Sequence, residues 1–211
     1  MICVNFYGGP GIGKSTLAAI TFAHLKKAGI RAELVGEFAK DLVYDKAYNV
    51  MADQHYLFAV QAHRLWRLVQ SGVEVAVCDS PLLLTMAYNK DPNTGCFNPF
   101  VIDTYKRYTN IDYVLKRNPE FWEKDKRSGD VSCCQVIDGV IDAILLDVWH
   151  DFPEKVDTTK PGVVDELLDR ILLQCRDAIK EETELRNING VTANRPALYV
   201  DEPWKGGSQK R

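Results

Sequence analysis

The sequence predicts an α/β domain: a parallel sheet with helices packed on both faces. Three observations lead there. Short β-rich runs alternate with longer stretches of helical periodicity along most of the chain, the pattern of repeated strand–helix–strand units. Val73-Glu-Val-Ala-Val-Cys78 is almost wholly apolar, as a strand buried on both faces must be. A glycine-rich loop, Gly8-Gly-Pro-Gly-Ile-Gly13, separates the first strand-like run from the first helix-like run.

Taken in order, Ile2, Val4 and Phe6 alternate with more polar residues and predict a first strand. A helix follows over 15–27, stopped by Gly29. Residues 31–36 read as a second strand ending at Glu37, and 38–44 as one or two helical turns carrying Lys40 and Asp41. Tyr56, Leu57, Val60, Leu65 and Leu68 recur at helical spacing, predicting a long helix over 50–70 closed by Gly72. The apolar strand at 73–78 ends in Asp79-Ser80-Pro81. A helix is expected over 82–88, then a loop over 89–99 containing Pro92, Gly95 and Pro99, then a helix over 100–108. Ile111-Asp-Tyr-Val-Leu115 predicts a strand running into Lys116-Arg117, followed by a polar stretch over 118–131. A helix over 136–149, a weak fifth strand over 152–156 and an amphipathic helix over 163–184 complete the domain. The expected division is a domain over 1–186 and a partly disordered extension over 187–211, with one short apolar run, Ala197-Leu-Tyr-Val200.

Composition excludes several classes. At 211 residues, with 46% hydrophobic and 26% charged residues, the chain suits one globular domain of ordinary size. A net charge of −3 gives no global attraction to nucleic acid or anionic membrane. No apolar run approaches the length that spans a bilayer, and no membrane partner is expected. The six cysteines lack paired spacing, which argues for reduced thiols and a cytoplasmic location rather than a disulfide framework or zinc site. A signal peptide is not expected, because the glycine loop begins at residue 8.

Gly8, four residues, then Gly13-Lys14-Ser15 fits the Walker A spacing, in the strand–loop–helix setting that the motif requires. Glycines at these positions let backbone N–H groups converge on one anion. The nucleotide-cradling residues are Gly8, Gly9, Pro10, Gly11, Ile12, Gly13, Lys14, Ser15 and Thr16. Lys14 reaches the β- and γ-phosphates, and the Ser15 hydroxyl ligates Mg²⁺. ATP with Mg²⁺ is therefore the expected bound species.

Ligands of such folds sit beyond the carboxyl ends of the strands, where Glu37, Asp79 and Arg117 also fall. Asp79 ends an apolar strand in the manner of a Walker B acid and is read as a second Mg²⁺ residue; the competing reading is a helix cap. Glu37 is the candidate general base for an acceptor hydroxyl, with Asp41 one turn later as its competitor. Arg117, Lys124, Lys126 and Arg127 read as a basic, lid-like set to neutralise charge on a transferring phosphoryl group, with Arg117 and Arg127 read as catalytic; for Lys124 and Lys126 a solvated charged loop is the competing reading. Gln54, Gln61 and Arg64, on the long helix, are candidate substrate-binding residues together with Asp41; Gln54 and Gln61, seven apart, share a face. His63 reads as part of an exposed polar face. Tyr44, Tyr48, Tyr56, Tyr88 and Trp66 either stack on a base or pack in the core. Asn89-Lys90-Asp91 differs from the guanine-specifying NKxD of GTPases, because Asp follows Lys directly and the segment follows a helix.

GGPGIGKST, Glu37-Phe-Ala-Lys-Asp41, the glutamine-bearing helix and Val77-Cys-Asp79-Ser-Pro-Leu-Leu-Leu84 together resemble the phage-type small P-loop kinases related to thymidylate kinase and the ribosylnicotinamide kinase domain. The likeness covers residues 1 to about 180. It implies a three-layer P-loop NTPase fold with a five-stranded parallel sheet in the order 2-3-1-4-5 and a lid after the fourth strand. It also implies Lys14, Ser15 and Asp79 as ATP·Mg residues. Some members phosphorylate 5-hydroxymethyluracil in viral DNA as a step toward hypermodified thymidines; others act on free nucleosides or nucleotides. Asp79-Ser80-Pro81 replaces the Asp-Arg of thymidylate kinases, which disfavours a monophosphate acceptor and leaves a hydroxyl. Three functions stay open on these residues. The first is a kinase acting on 5-hydroxymethyluracil in DNA. The second is a soluble nucleoside, nucleotide or ribosylnicotinamide kinase, and the third is a regulatory ATPase. Trp204 to Arg211 reads either as a phosphate-contacting tail or, equally, as a solvated one.

Overall fold

A computed structural model of the chain describes residues 1–90, 95–117, 131–149 and 155–188. The parallel sheet joins β1 (Ile2–Tyr7), β2 (Ala32–Val35), β3 (Val75–Cys78), β4 (Thr109–Leu115) and β5 (Lys155–Val156). Its order is β2-β3-β1-β4-β5, as expected. The register pairs Asn5 with Cys78 and Val35 with Cys78, so β1, β3 and β2 finish at one edge. On the other side of β1, Tyr7 is level with Val114.

Two apolar layers cover this sheet. Ile2, Val4 and Phe6 of β1 pack with Leu17, Ala18 and Leu25 of α1 (Lys14–Lys27) and with Leu167, Ile171 and Cys175 of α8 (Val163–Ile188). On the opposite face, Cys3 and Tyr7 pack with residues of α4 (Gln54–Gln70), α5 (Leu84–Tyr88), α6 (Phe97–Tyr105) and α7 (Val131–Trp149). The alternation read in the first strand therefore marks two buried faces rather than one buried and one wet. All six residues of β1 are buried, because helices lie on both sides. Among the described residues, no helix is long and apolar enough to cross a membrane.

Element boundaries shifted where caps and turns overruled periodicity. The helix expected from residue 50 begins at Gln54, because the Asp53 carboxylate accepts the Tyr56 N–H at 3.1 Å and caps it there. The separate turns α2 (Phe38–Tyr44) and α3 (Tyr48–Met51) precede it. Helix α6 starts three residues before the expected position. Pro99 sits in its first turn, where a missing N–H leaves no helical bond unmade. Strand β4 begins two residues earlier than expected. α7 begins at Val131 rather than 136, and α8 continues to Ile188. The apolar run at 197–200 and the tail from 204 lie outside the described residues.

One polar network is built into the second layer. Asn5 Nδ2 donates to Asp112 Oδ1 at 2.8 Å and to Asn110 Oδ1 at 3.0 Å. The Tyr105 hydroxyl donates to Asp112 Oδ2 and accepts from Trp149 Nε1 at 2.9 Å. These bonds tie the ends of α6 and α7 to β4. Burial pushes the Asp112 carboxyl above its ordinary pKa, and the Tyr105 and Asn5 hydrogen bonds oppose that shift by favouring the charged form.

An acid whose folded-state pKa is raised favours folding at low pH, and that contribution fades as pH rises through the raised value. Tyr105 limits the loss, so Tyr105→Phe hurts most where Asp112 is ionised. Urea unfolding is expected to show about 1–3 kcal/mol lost near pH 8 and a smaller loss near pH 4. A loss independent of pH would contradict the coupling.

Candidate active site

The chain leaves β1 at Tyr7 and turns through the glycine loop into α1. Gly11 and Gly13 take positive φ of 71° and 97°, a region that side-chain-bearing residues adopt at a cost. Gly13 is the N-cap of α1, no side chain caps that helix, and its first turn carries no acid. The first N–H groups and the positive end of a 14-residue helix are thus presented to an anion. Ile12 anchors the loop in the first core layer, while Ser15 and Thr16 are exposed at its mouth.

Lys14 folds back over the loop, donating to the Gly8 and Gly9 carbonyls at 2.7 and 2.9 Å. Burial lowers its pKa, and the carboxylates of Glu37 and Asp79 oppose that shift. The ammonium therefore stands within the field of both acids at the point where phosphate charge is expected.

At the ends of β2 and β3, four side chains converge. Lys40 Nζ donates to Ser15 Oγ and, at 2.9 Å, to Asp79 Oδ2, and lies 3.8 Å from Glu37 Oε2. The second oxygen of Asp79, Oδ1, is buried without a hydrogen-bond partner. A hydroxyl and carboxylate oxygens around one cation, with a spare buried acceptor beside them, form the hard oxygen donor set that suits Mg²⁺. Among the described residues, no group of three or more His, Cys, Asp or Glu could form an all-protein metal cage. Ser15 and Asp79 would hold the Mg²⁺. Tyr88 borders the same region: burial, then the nearby Glu37 carboxylate, pushes its hydroxyl well up, so it stays a neutral donor.

Arg117 occupies a different place from the one a mobile lid implies. Its Nε donates to Asp138 Oδ2 at 2.7 Å, Nη2 donates to Asp138 Oδ1 at 3.2 Å, and Nη1 donates to the Pro10 carbonyl at 3.0 Å. The Gly9 N–H donates to the same Asp138 oxygen at 2.6 Å. The bidentate pair fixes the loop, and the Arg117 side chain is only 8% exposed. A Cβ on Gly9 would lie 2.8 Å from Asp138 Oδ1 and 3.1 Å from the Cys134 carbonyl, so only glycine fits this approach. Arg127, Lys124 and Lys126 lie outside the described residues.

The long helix faces the site with its polar groups already engaged. Gln61 is buried, and its Nε2 donates to the Gly36 and Ser80 carbonyls at 3.1 Å each, tying the ends of β2 and β3 together. Arg64 donates to the Gly36 carbonyl at 2.8 Å, pairs with Asp41 at 3.4 Å and lies over the Phe38 ring. Gln54 is buried and donates to the Met51 carbonyl at 3.0 Å. Gln61 and Arg64 brace the end of β2 and Gln54 braces the end of α3; Asp41 is the most exposed of the four, with its side chain 59% accessible. Sequence reasoning missed Asp138 and gave Lys40 no role. The only trace of Lys40 was its spacing, three residues after Glu37 on one helical turn.

Asp138→Ala would strand a nearly buried guanidinium and a loop N–H. Chemical denaturation is expected to show about 3 kcal/mol lost. Asp138→Asn, which keeps one acceptor, should cost less. A loss below about 0.5 kcal/mol would reduce the pair to a surface ion pair.

No curated protein matches the chain. A family model described as AAA domain matches residues 3–151, well over half of the chain, from β1 to just beyond α7. The matched stretch contains the glycine loop, Glu37, Asp79, Arg117 and Asp138. The chain belongs to this AAA domain family, a P-loop NTPase-type family, and its glycine loop is a nucleotide-binding P-loop.

Proposed function

We propose that the chain is an ATP-dependent kinase that transfers the γ-phosphate to a nucleoside-type hydroxyl. The observation that carries the reading is Glu37. Its carboxylate stands at the end of β2, shares a cation with Ser15 and Asp79, and makes no capping bond to α2. A carboxylate so placed, beside the phosphate loop and half-buried, is equipped to accept a proton from a hydroxyl approaching the γ-phosphate.

In the transfer, the acceptor oxygen forms a bond to the γ-phosphorus and the bond from that phosphorus to the leaving ADP oxygen breaks. The hydroxyl proton passes to Glu37. Lys14 and the N–H groups at the start of α1 neutralise charge on the phosphates, and Arg117, held by Asp138, keeps the loop in shape. Mg²⁺ held by Ser15 and Asp79 would screen the β- and γ-phosphate charge.

A nucleoside is favoured by the aromatic residues on the helices that follow Glu37. Phe38 and Tyr56 meet edge to face at 5.6 Å, and Tyr44, Tyr48 and Tyr56 are 77%, 57% and 46% exposed on α2, α3 and α4. Exposed aromatics on adjoining turns supply a stacking surface for a base. On the resemblance to phage-type kinases, the acceptor is the 5-hydroxymethyl group of uracil in DNA, and free nucleosides are the alternative.

The test offers γ-labelled ATP to hydroxymethyluracil-containing DNA, unmodified DNA and a panel of free nucleosides and nucleotides. Label is expected on the modified DNA. Glu37→Gln should lower transfer by about 100-fold or more while nucleotide still binds, and Lys14→Ala should abolish ATP use. Label on a free nucleoside alone would overturn the DNA acceptor. Phosphate release with no labelled acceptor would overturn the kinase.

A further inference from the structure

Lys40 is the side chain that the reaction as described leaves without a task. It stands at the centre of the donor set, touching Ser15 and Asp79 and facing Glu37. Asp79 is buried and Glu37 half-buried, and both carboxylates face the same Lys40 ammonium, at 2.9 and 3.8 Å. An ammonium in contact with both Ser15 Oγ and Asp79 Oδ2 also fills the point on which a divalent ion held by those oxygens would sit. The two cations exclude each other by volume and by repulsion.

We infer that Lys40 is a resident counter-ion that occupies the divalent-cation position and is exchanged for the metal when nucleotide arrives. The inference rests on the reading of Ser15 and Asp79 as the metal-holding pair. The device has a clear physical logic. Lys40 lies on the short helix α2, and its four-carbon stem lets the ammonium swing away while the backbone stays in place. Free metal has to displace an ammonium already bonded to the two ligands, so its affinity alone is weak. Metal carried in on ATP phosphates brings further ligands and wins the exchange. Lys40 thereby links metal entry to nucleotide entry and keeps the acids neutralised between turnovers.

The test is Mn²⁺ binding to the full chain without nucleotide, followed by electron paramagnetic resonance, for wild type, Lys40→Gln and Lys40→Arg. Lys40→Gln is expected to bind Mn²⁺ about tenfold more tightly than wild type. Lys40→Arg, which keeps the charge, should stay weak. Thermal unfolding gives a second readout: metal-free Lys40→Gln should melt below wild type, and Mn²⁺ should restore it. A purely structural lysine would give a melting loss that Mn²⁺ does not relieve, with Mn²⁺ affinity equal to that of wild type. That result overturns the inference. Binding of a fluorescent ATP analogue is measured alongside. If wild type binds it and the Mn²⁺ affinities are equal, the role of Lys40 fails alone. If wild type binds no nucleotide, the functional reading fails with it.

Discussion

Everything at this site depends on parallel pairing in a fixed register. Because β1, β2 and β3 run the same way and end together, the residues that follow them are delivered to one edge of the sheet. There the first strand yields the phosphate loop, the second Glu37 and the third Asp79. The Asp79 N–H donating to the Val35 carbonyl at 3.1 Å, and Gln61 bridging Gly36 and Ser80, continue the ladder past the strands themselves. A one-residue slip would send Asp79 to the other face.

Placing charges at such an edge creates an electrostatic problem, and the structure answers it twice. In front of the loop, Glu37 and Asp79 are balanced by Lys14 and Lys40. Behind it, Asp138 balances Arg117 and also accepts the Gly9 N–H. The rear pair is bidentate and rests on a planar guanidinium, which suits a part that holds its shape. The front cluster is built on a flexible lysine, which suits a part that exchanges partners. Carboxylate–cation pairs thus serve as a brace on one side of the loop and as a working surface on the other.

Much of this was legible in the residues. Strand–helix alternation gave the layers, the Walker spacing gave the loop, and the polar residues ending each apolar strand gave Glu37 and Asp79. Less legible were contacts between segments far apart in the chain. Arg117 looks like a lid cation because it begins a basic stretch. Its partner Asp138 comes from α7, twenty-one residues on, and nothing in the local pattern marks which helical acid faces the loop. Gln54 and Gln61 share a face as their spacing implied, but that face is turned inward, so their amides meet backbone carbonyls. Periodicity reports a shared face and does not say what covers it.

The central claim is that Ser15 and Asp79 complete a metal-dependent nucleotide site on this edge. Calorimetric titration of a non-hydrolysable ATP analogue, with and without Mg²⁺, into wild type and Asp79→Asn tests it most directly. Mg²⁺ should tighten binding to wild type by about tenfold or more. Asp79→Asn should retain the metal-free affinity and lose most of that gain. An equal Mg²⁺ effect in both proteins would contradict the account.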